Sequence, residues 1–192
     1  MEILNIEKEK VINTYKQGSE KEKKVLELLF GVETFRPKNV IERVKTFEDA
    51  CRELGKDHPF VLAYQNTNLR DPEVADDNKD ILSYLKLRII TAALNDGWKP
   101  KIIEGERRYY PYFSLYTCKE ISEMSEEDKS SVVILPYNYT NAYAGVSYED
   151  TCCDSADVGA DFATRLAFKT EELAEYAGKQ FTKLYAGYLL EV

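Results

Sequence analysis

A chain of 192 residues with 44% hydrophobic and 31% charged residues has the size and balance of one globular domain. This balance excludes a disordered chain, and the lack of any run of roughly 18 apolar residues excludes a membrane-spanning helix. The first ten residues are highly charged and contain no apolar segment, so we expect no signal peptide. The sequence therefore predicts a cytoplasmic protein that has no membrane partner.

The net charge of −8 is unevenly distributed, because residues 118–161 alone hold two lysines against ten acidic residues. Residues 1–56 are nearly neutral, with 12 Lys/Arg and 11 Asp/Glu. A basic nucleic-acid footprint is missing, so nucleic acid is disfavoured as a partner. The adjacent Cys152 and Cys153 cannot bond each other without strain, and the four cysteines form no Cys-x-x-Cys motif. We expect reduced thiols and no zinc site.

Capping signals predict helices throughout residues 1–56. Each predicted helix follows a residue whose side chain can accept hydrogen bonds from the first free backbone amides. A serine followed three residues later by a glutamate also forms a capping box. The predicted helices are Asn5 to Gly18, the segment from Ser19 and Glu22 to Gly31 with its stripe Val25, Leu28 and Leu29, and Phe47 to Leu54 after Thr46.

The longest apolar pattern follows a polar segment, residues 66–80, which is predicted to be a loop. Between Lys79 and Asn95, apolar residues from Ile81 onward, including Leu85 and Ile89, cover most of the circumference of a helix. A helix of this kind is usually buried. We expect it to be the central helix of the domain.

Strand patterns dominate from residue 102 onward. Four strands are predicted, and Pro111 favours an edge strand or a bulge for the first of them. These strands are Arg107 to Tyr116, Val132 to Leu135, Tyr143 to Tyr148 and Arg165 to Phe168. Thr170 then caps a helix through Tyr185, in which Gly178 indicates close packing against another backbone.

Helices first and strands later, without alternation of the two, predict an α+β fold. We expect N-terminal helices and a central buried helix packed on a small, mostly antiparallel sheet, with a C-terminal helix. The chain is predicted to be a single domain over 1–192, with a helical part, 1–56, and an α+β body, 57–192.

No constellation for catalysis or cofactor binding is found in the sequence. The only histidine, His58, lies in a turn, where capping or exposure to water is the more common role. Phosphate-binding glycine motifs are absent. The acids Asp150, Asp154, Asp157 and Asp161 could hold a hard cation, but a solvated acidic loop is favoured. We predict no catalytic residue, no metal and no cofactor, and a non-enzymatic role is favoured.

Tyrosine is concentrated in one region, since eight of the 14 tyrosines fall within residues 109–148. For Tyr109 to Tyr116, packing as ordinary strand residues is favoured over a binding surface. For the later tyrosines, small polar neighbours leave a contact surface and a strand interior as equal alternatives. The candidate partner-binding residues are Tyr137, Tyr139, Tyr143, Tyr148, Glu149, Asp150, Asp154 and Asp157. In the competing interpretation, Tyr143 and Tyr148 are buried strand residues that close the sheet.

Four stretches carry a resemblance to a known family: Glu27 to Gly31, Arg43 to Cys51, Tyr109 to Phe113, and Arg165 to Phe181. Together they resemble an uncharacterised family encoded by gut bacterial prophages, mobile elements and crAss-like phages. The resemblance spans nearly the whole chain and supplies no catalytic or ligand residue. It implies a protein of the host-cell cytoplasm, or alternatively of the virion.

These observations predict a phage- or mobile-element-encoded binding protein that presents a Tyr-rich, acidic surface to a protein partner. One alternative is a virion or assembly component that forms a homo-oligomer by self-association. A second alternative is a small-ligand-binding protein or enzyme with a tyrosine-lined pocket.

Overall fold

The computed structural model describes residues 6–101, 103–136, 143–155 and 165–190. The chain falls into two compact units, Met1–Arg43 and Val44–Val192. The boundary between the units therefore lies at Arg43, before the predicted end of the helical part at residue 56. Cooperative unfolding of 1–192 as a single domain stays a prediction.

The first unit is built on a helical hairpin of α1 (Lys8–Gln17) and α2 (Glu20–Phe30). The predicted capping box is present, since the Ser19 N–H donates to Glu22 Oε2 at 2.7 Å. Gly31 ends α2 with φ of +80°, a conformation that favours glycine. A 3-10 turn, Val32–Thr34, and the short helix α3 (Val40–Arg43) complete the described part of this unit.

The second unit begins with α4 (Phe47–Leu54), which starts and ends as predicted and is capped by Thr46. Its neighbour α5 (Pro59–Asn66) is a helix that the sequence patterns do not predict, although Pro59 occupies a position that prolines favour at a helix start. His58 caps α5, because its Nδ1 accepts the Phe60 N–H at 3.2 Å.

The predicted loop over residues 66–80 is wrong, because this segment forms three short helical turns. The side chains of Thr67 and Asp71 accept backbone N–H groups two residues ahead, at 3.2 and 3.1 Å. Such local hydrogen bonds start a new turn after each break. The turns are a 3-10 turn Asn68–Arg70, α6 (Pro72–Ala75) and a 3-10 turn Asp76–Asn78.

The central helix α7 (Lys79–Leu94) confirms the predicted core helix and packs against α4 and α5. Its C-terminal half is the most deeply buried, with Leu87, Ile89 and Leu94 fully enclosed. Ile81, which belongs to the predicted inward pattern, is 41% exposed because the first turn of α7 extends beyond the core.

The sheet has three antiparallel strands in the order β1-β3-β2. These are β1 (Arg107–Tyr116), β2 (Val133–Pro136) and β3 (Tyr143–Ser155). Two short helices, α8 (Cys118–Glu123) and α9 (Glu126–Lys129), join β1 to β2, and a capping box formed by Thr117 and Glu120 begins α8. Pro111 lies in the edge strand β1, as predicted. The α+β fold is confirmed.

The predicted strand from Arg165 to Phe168 is wrong. Arg165 and Leu166 form a 3-10 turn, and only Phe168 pairs, through a single bridge to Tyr109. The predicted C-terminal helix is divided at Phe181 into α10 (Glu171–Gln180) and α11 (Thr182–Leu189). These two helices pack on the sheet and on α7.

The buried side chain of Asn95 joins the end of α7 to the segment that precedes α10. Its Nδ2 donates to the Ala167 carbonyl at 2.8 Å, and its Oδ1 accepts the Lys169 N–H at 3.0 Å. Both hydrogen bonds are made to backbone groups more than seventy residues away. The arrangement fixes Phe168 next to β1.

Ile89→Ala should lower the free energy of unfolding by about 2–5 kcal/mol, because Ile89 is fully buried and the change leaves a cavity. Ile81→Ala, the matched change in the exposed turn of the same helix, should cost less than about 1 kcal/mol. Urea denaturation of both variants measures the difference. Equal costs would show that α7 is not the core helix.

Asn95→Ala should destabilise the protein by about 2–4 kcal/mol, because it leaves the Ala167 carbonyl and the Lys169 N–H without their hydrogen-bond partners. The control is Asn66→Ala, at the exposed end of α5. Thermal unfolding followed by circular dichroism tests both variants. A loss at position 95 no larger than that at position 66 would contradict the proposed role of this side chain.

Candidate interaction surface

The register of the sheet determines which side chains share a face, because directly paired residues point the same way. Phe113 pairs with Tyr148 and Ser114 pairs with Ser147. The pairing then shifts by one residue, so that Tyr112 faces Asp150. This shift is a β-bulge in which Glu149 is the additional residue.

Tyr148, a candidate partner-binding residue, lies in the interface between the sheet and α10. Its ring meets Phe113 edge-on at 6.2 Å between centroids, and its hydroxyl lies 2.9 Å from Thr151 Oγ1. The Lys179 ammonium lies 5.4 Å from the ring centroid. The placement of Tyr148 agrees with the competing interpretation, in which it closes the sheet, and not with an outward contact.

Gly178 provides the space for this ring. A Cβ atom at Gly178 would lie 2.4 Å from Tyr148 Cδ2 and 2.7 Å from Pro111 Cβ. The close neighbours are therefore two side chains of the sheet, not the backbone that the sequence suggested. The absence of a side chain at this position lets α10 lie directly on β1 and β3.

The opposite face of the sheet carries both bulge carboxylates. Glu149 Oε2 accepts the Ser114 hydroxyl at 2.9 Å, and Asp150 pairs with Tyr112 across the strands. Glu149 and Asp150 are exposed, and Tyr112 is 54% exposed. The bulge thus brings two consecutive acids to the same side, although successive strand residues normally alternate. We call Tyr110, Tyr112, Ser114, Glu149 and Asp150 the open sheet face.

The far end of this side of the sheet is covered. A Cβ atom at Gly145 would lie 2.5 Å from Val132 Cγ1 and 2.9 Å from Ile121 Cδ1, so α8 and the following segment pack directly on β3. Ser147 is buried, and its Oγ lies 3.2 Å from the Tyr116 hydroxyl oxygen. The open sheet face therefore has a closed boundary on the α8 side.

The charge of the open sheet face is uncompensated. Within the described ranges, no lysine or arginine lies within ion-pair distance of Glu149 or Asp150. Arg108, in the adjacent strand, is buried, and its Nη2 donates to the Lys101 carbonyl at 2.8 Å. Both carboxylates are thus available to an external cation.

Of the remaining candidate residues, only Tyr143 has a described side chain. Tyr143, the first residue of β3, pairs with Pro136, and a hydrogen bond with Cys118 raises the pKa of its phenol. Tyr137, Tyr139, Asp157 and the side chain of Asp154 lie outside the described residues.

The sequence interpretation missed Tyr110 and Tyr112, which it assigned to ordinary strand packing. A usable signal was present, because the even-numbered residues of β1 from 110 to 116 are Tyr or Ser, while Phe113 and Leu115 occupy odd positions. This alternation distinguishes a polar-tipped face from an apolar one. The sequence alone could not show which of the two faces of the sheet α10 covers.

His58 has a structural role at the start of α5. Burial, together with the positive charge of Lys99, lowers the pKa of its imidazole. The neutral ring can therefore accept the hydrogen bond that caps α5. In the described chain, no group of three or more His, Cys, Asp or Glu side chains could hold a metal ion, and all four cysteines are free thiols.

Comparison of the chain with protein-family models, with curated proteins and with solved structures gives no match. Across the described residues, every helix is too short or too polar to cross a membrane.

Gly178→Ala should lower the free energy of unfolding by about 1–3 kcal/mol, because the new methyl group collides with the Tyr148 ring and Pro111. Gly187→Ala is the matched control in α11, where the nearest atom is the rotatable Ser83 hydroxyl at 2.7 Å. That control should leave stability unchanged or raise it by up to about 1 kcal/mol, as alanine favours helix. Chemical denaturation compares the two, and equal stabilities would refute close packing of Tyr148 on α10.

Proposed function

We propose that the protein is a non-enzymatic binding protein whose open sheet face contacts a basic segment of a protein partner. The observation that carries the proposal is the bulge, which places two carboxylates without an ion-pair partner among the described residues on the same side of the sheet as the exposed ring of Tyr112. The resemblance in sequence implies that a phage or mobile element encodes the protein and that the protein acts in the host cell.

The tyrosines supply contact area. A tyrosine side chain has two rotatable bonds and a large ring, so it loses little conformational entropy for the surface that it buries. Tyr110 and Tyr112 project from β1, where the pairing with β3 fixes the backbone. A partner would therefore meet rings on a preorganised strand.

The acids supply charge selectivity. Glu149 and Asp150 have no cation nearby among the described residues, so an arginine or lysine of the partner would replace water at these oxygens. Opposite charges across an interface speed association and disfavour acidic competitors. We expect binding that weakens as the salt concentration rises.

Peptide selection tests this proposal even while the partner is unidentified. Random peptides displayed on phage are selected against the immobilised full-length protein at low salt. The selected peptides should be enriched in arginine and lysine. Their affinity should fall at least about tenfold for the double variant Glu149→Gln/Asp150→Asn and for Tyr112→Ser.

The control is Glu126→Gln/Glu127→Gln, which removes the same charge from two adjacent exposed residues of α9. It should retain peptide binding, and the melting temperatures of the variants should match that of the parent protein. Peptides without a basic bias, or equal losses for the two double variants, would refute the open sheet face as the binding surface.

A further inference from the structure

A half-buried arginine of the central helix has no counter-charge in the described part of the chain. The guanidinium carbon of Arg88 lies 4.1 Å from the centroid of the Phe60 ring and 5.9 Å from that of the Tyr84 ring. Its Nε is buried without a hydrogen-bond partner, and among the described residues no carboxylate lies within ion-pair distance of this side chain. A guanidinium stacked on rings keeps its outer N–H groups available for a carboxylate. Arg88 is therefore held in place by the rings but is not neutralised.

The surroundings of this guanidinium are basic and aromatic. The His58 ring lies 5.1 Å from the Phe60 ring, measured between centroids. Burial and the positive charge of Lys99 lower the pKa of the His58 imidazole, so the exposed Lys99 lies close enough to act on it. Tyr84 also contacts Tyr188, which is 36% exposed, with 5.6 Å between the ring centroids. We call the following five residues the arginine face: Phe60, Tyr84, Arg88, Lys99 and Tyr188.

Layers of helices separate the arginine face from the open sheet face within the second unit. α10 and α11 pack on the sheet, α7 packs on both of these helices, and α5 packs on α7. The open sheet face is the side of the sheet that α10 leaves uncovered. Arg88 contacts α5, so it lies too far from Glu149 and Asp150 of its own chain to pair with them.

The two faces are complementary in charge and in the kind of side chain. The open sheet face presents Glu149 and Asp150 on the same side as Tyr112, which is 54% exposed. The arginine face presents Arg88 and Lys99 near rings of α5, α7 and α11, and within the described ranges neither cation has an ion-pair partner. Guanidinium–carboxylate hydrogen bonds add geometric specificity, and the rings on both faces supply contact area.

We infer that the partner of the open sheet face is the arginine face of a second copy of the chain, an inference that rests on the proposed function and names its partner. Because the two faces differ, the contact is head-to-tail, and every added copy leaves one face of each kind free. Such contacts build a ring or an open row of molecules. The contact depends on a few charges and rings, so assembly should be weak, dependent on concentration and sensitive to salt.

Sedimentation velocity of the full chain at low salt, from about 1 μM to about 1 mM, tests self-association. The sedimentation coefficient of the parent protein should rise with concentration, and it should return to the value of the monomer at about 0.5 M salt, where surface charges are screened.

Variants of the arginine face test its part in the contact. Arg88→Met removes the charge but keeps a long side chain that can pack on Phe60, and Lys99→Glu reverses an exposed charge. Each should raise the dissociation constant at least about tenfold. The control is Lys183→Met, which removes an exposed charge of α11 and should assemble like the parent protein.

A charge exchange tests which faces meet. Glu149→Lys/Asp150→Lys makes both faces basic, whereas Arg88→Met/Lys99→Glu makes both faces acidic, so each double variant should stay monomeric alone. An equimolar mixture should assemble, because basic and acidic faces can then alternate. A mixture that stays monomeric, although circular dichroism shows both variants to be folded, would contradict the head-to-tail contact.

Self-association and the proposed function can fail separately. A parent protein that stays monomeric at about 1 mM, or that assembles equally well after either face is altered, would overturn the inference. Basic peptides that still bind the open sheet face would in that case leave the proposed function intact. If no basic peptide is selected and the parent protein is monomeric, both fail. Should Arg88→Met lower the melting temperature, Lys99→Glu at its exposed position decides the role of the arginine face.

Discussion

The second unit depends on the buried amide of Asn95. Its two hydrogen bonds to the segment around Phe168 connect the central helix to the start of α10. Phe168 is thereby held beside Tyr109, with which it exchanges backbone hydrogen bonds of 2.7 and 3.0 Å. From this fixed point α10 runs across the inner side of the sheet, so the Asn95 side chain, just after the end of α7, positions the start of the helix that covers this side.

The helices that the sequence predicted well are those whose signals are local. The Ser19 and Thr46 caps each need only residues within one turn. The failures depend on distant partners instead. Arg165 to Phe168 resembles a strand, yet only one of its residues finds a partner in β1. The helix break at Phe181 separates α10, which packs mainly on β1, from α11, which packs mainly on α7.

The candidate surface was predictable in composition but not in geometry. Sequence alone located the concentration of tyrosine and acid, including Glu149 and Asp150. It could not show that Tyr148 faces α10, because that choice depends on the glycine at position 178. Nor could it show that both acids share one side, since a bulge is a property of two paired strands and only one of them contains Glu149.

Pro111 has a further consequence for the growth of the sheet. In β1, Tyr109 directs its backbone groups away from β3, towards Phe168, and alternation gives Pro111 the same orientation. Proline has no N–H, so the free edge lacks a donor immediately after the Phe168 bridge. A fourth strand from another molecule would find an incomplete ladder there. Because Pro111 has no N–H to donate, this edge is protected against uncontrolled aggregation, and β1 can remain unpaired beyond the Phe168 bridge.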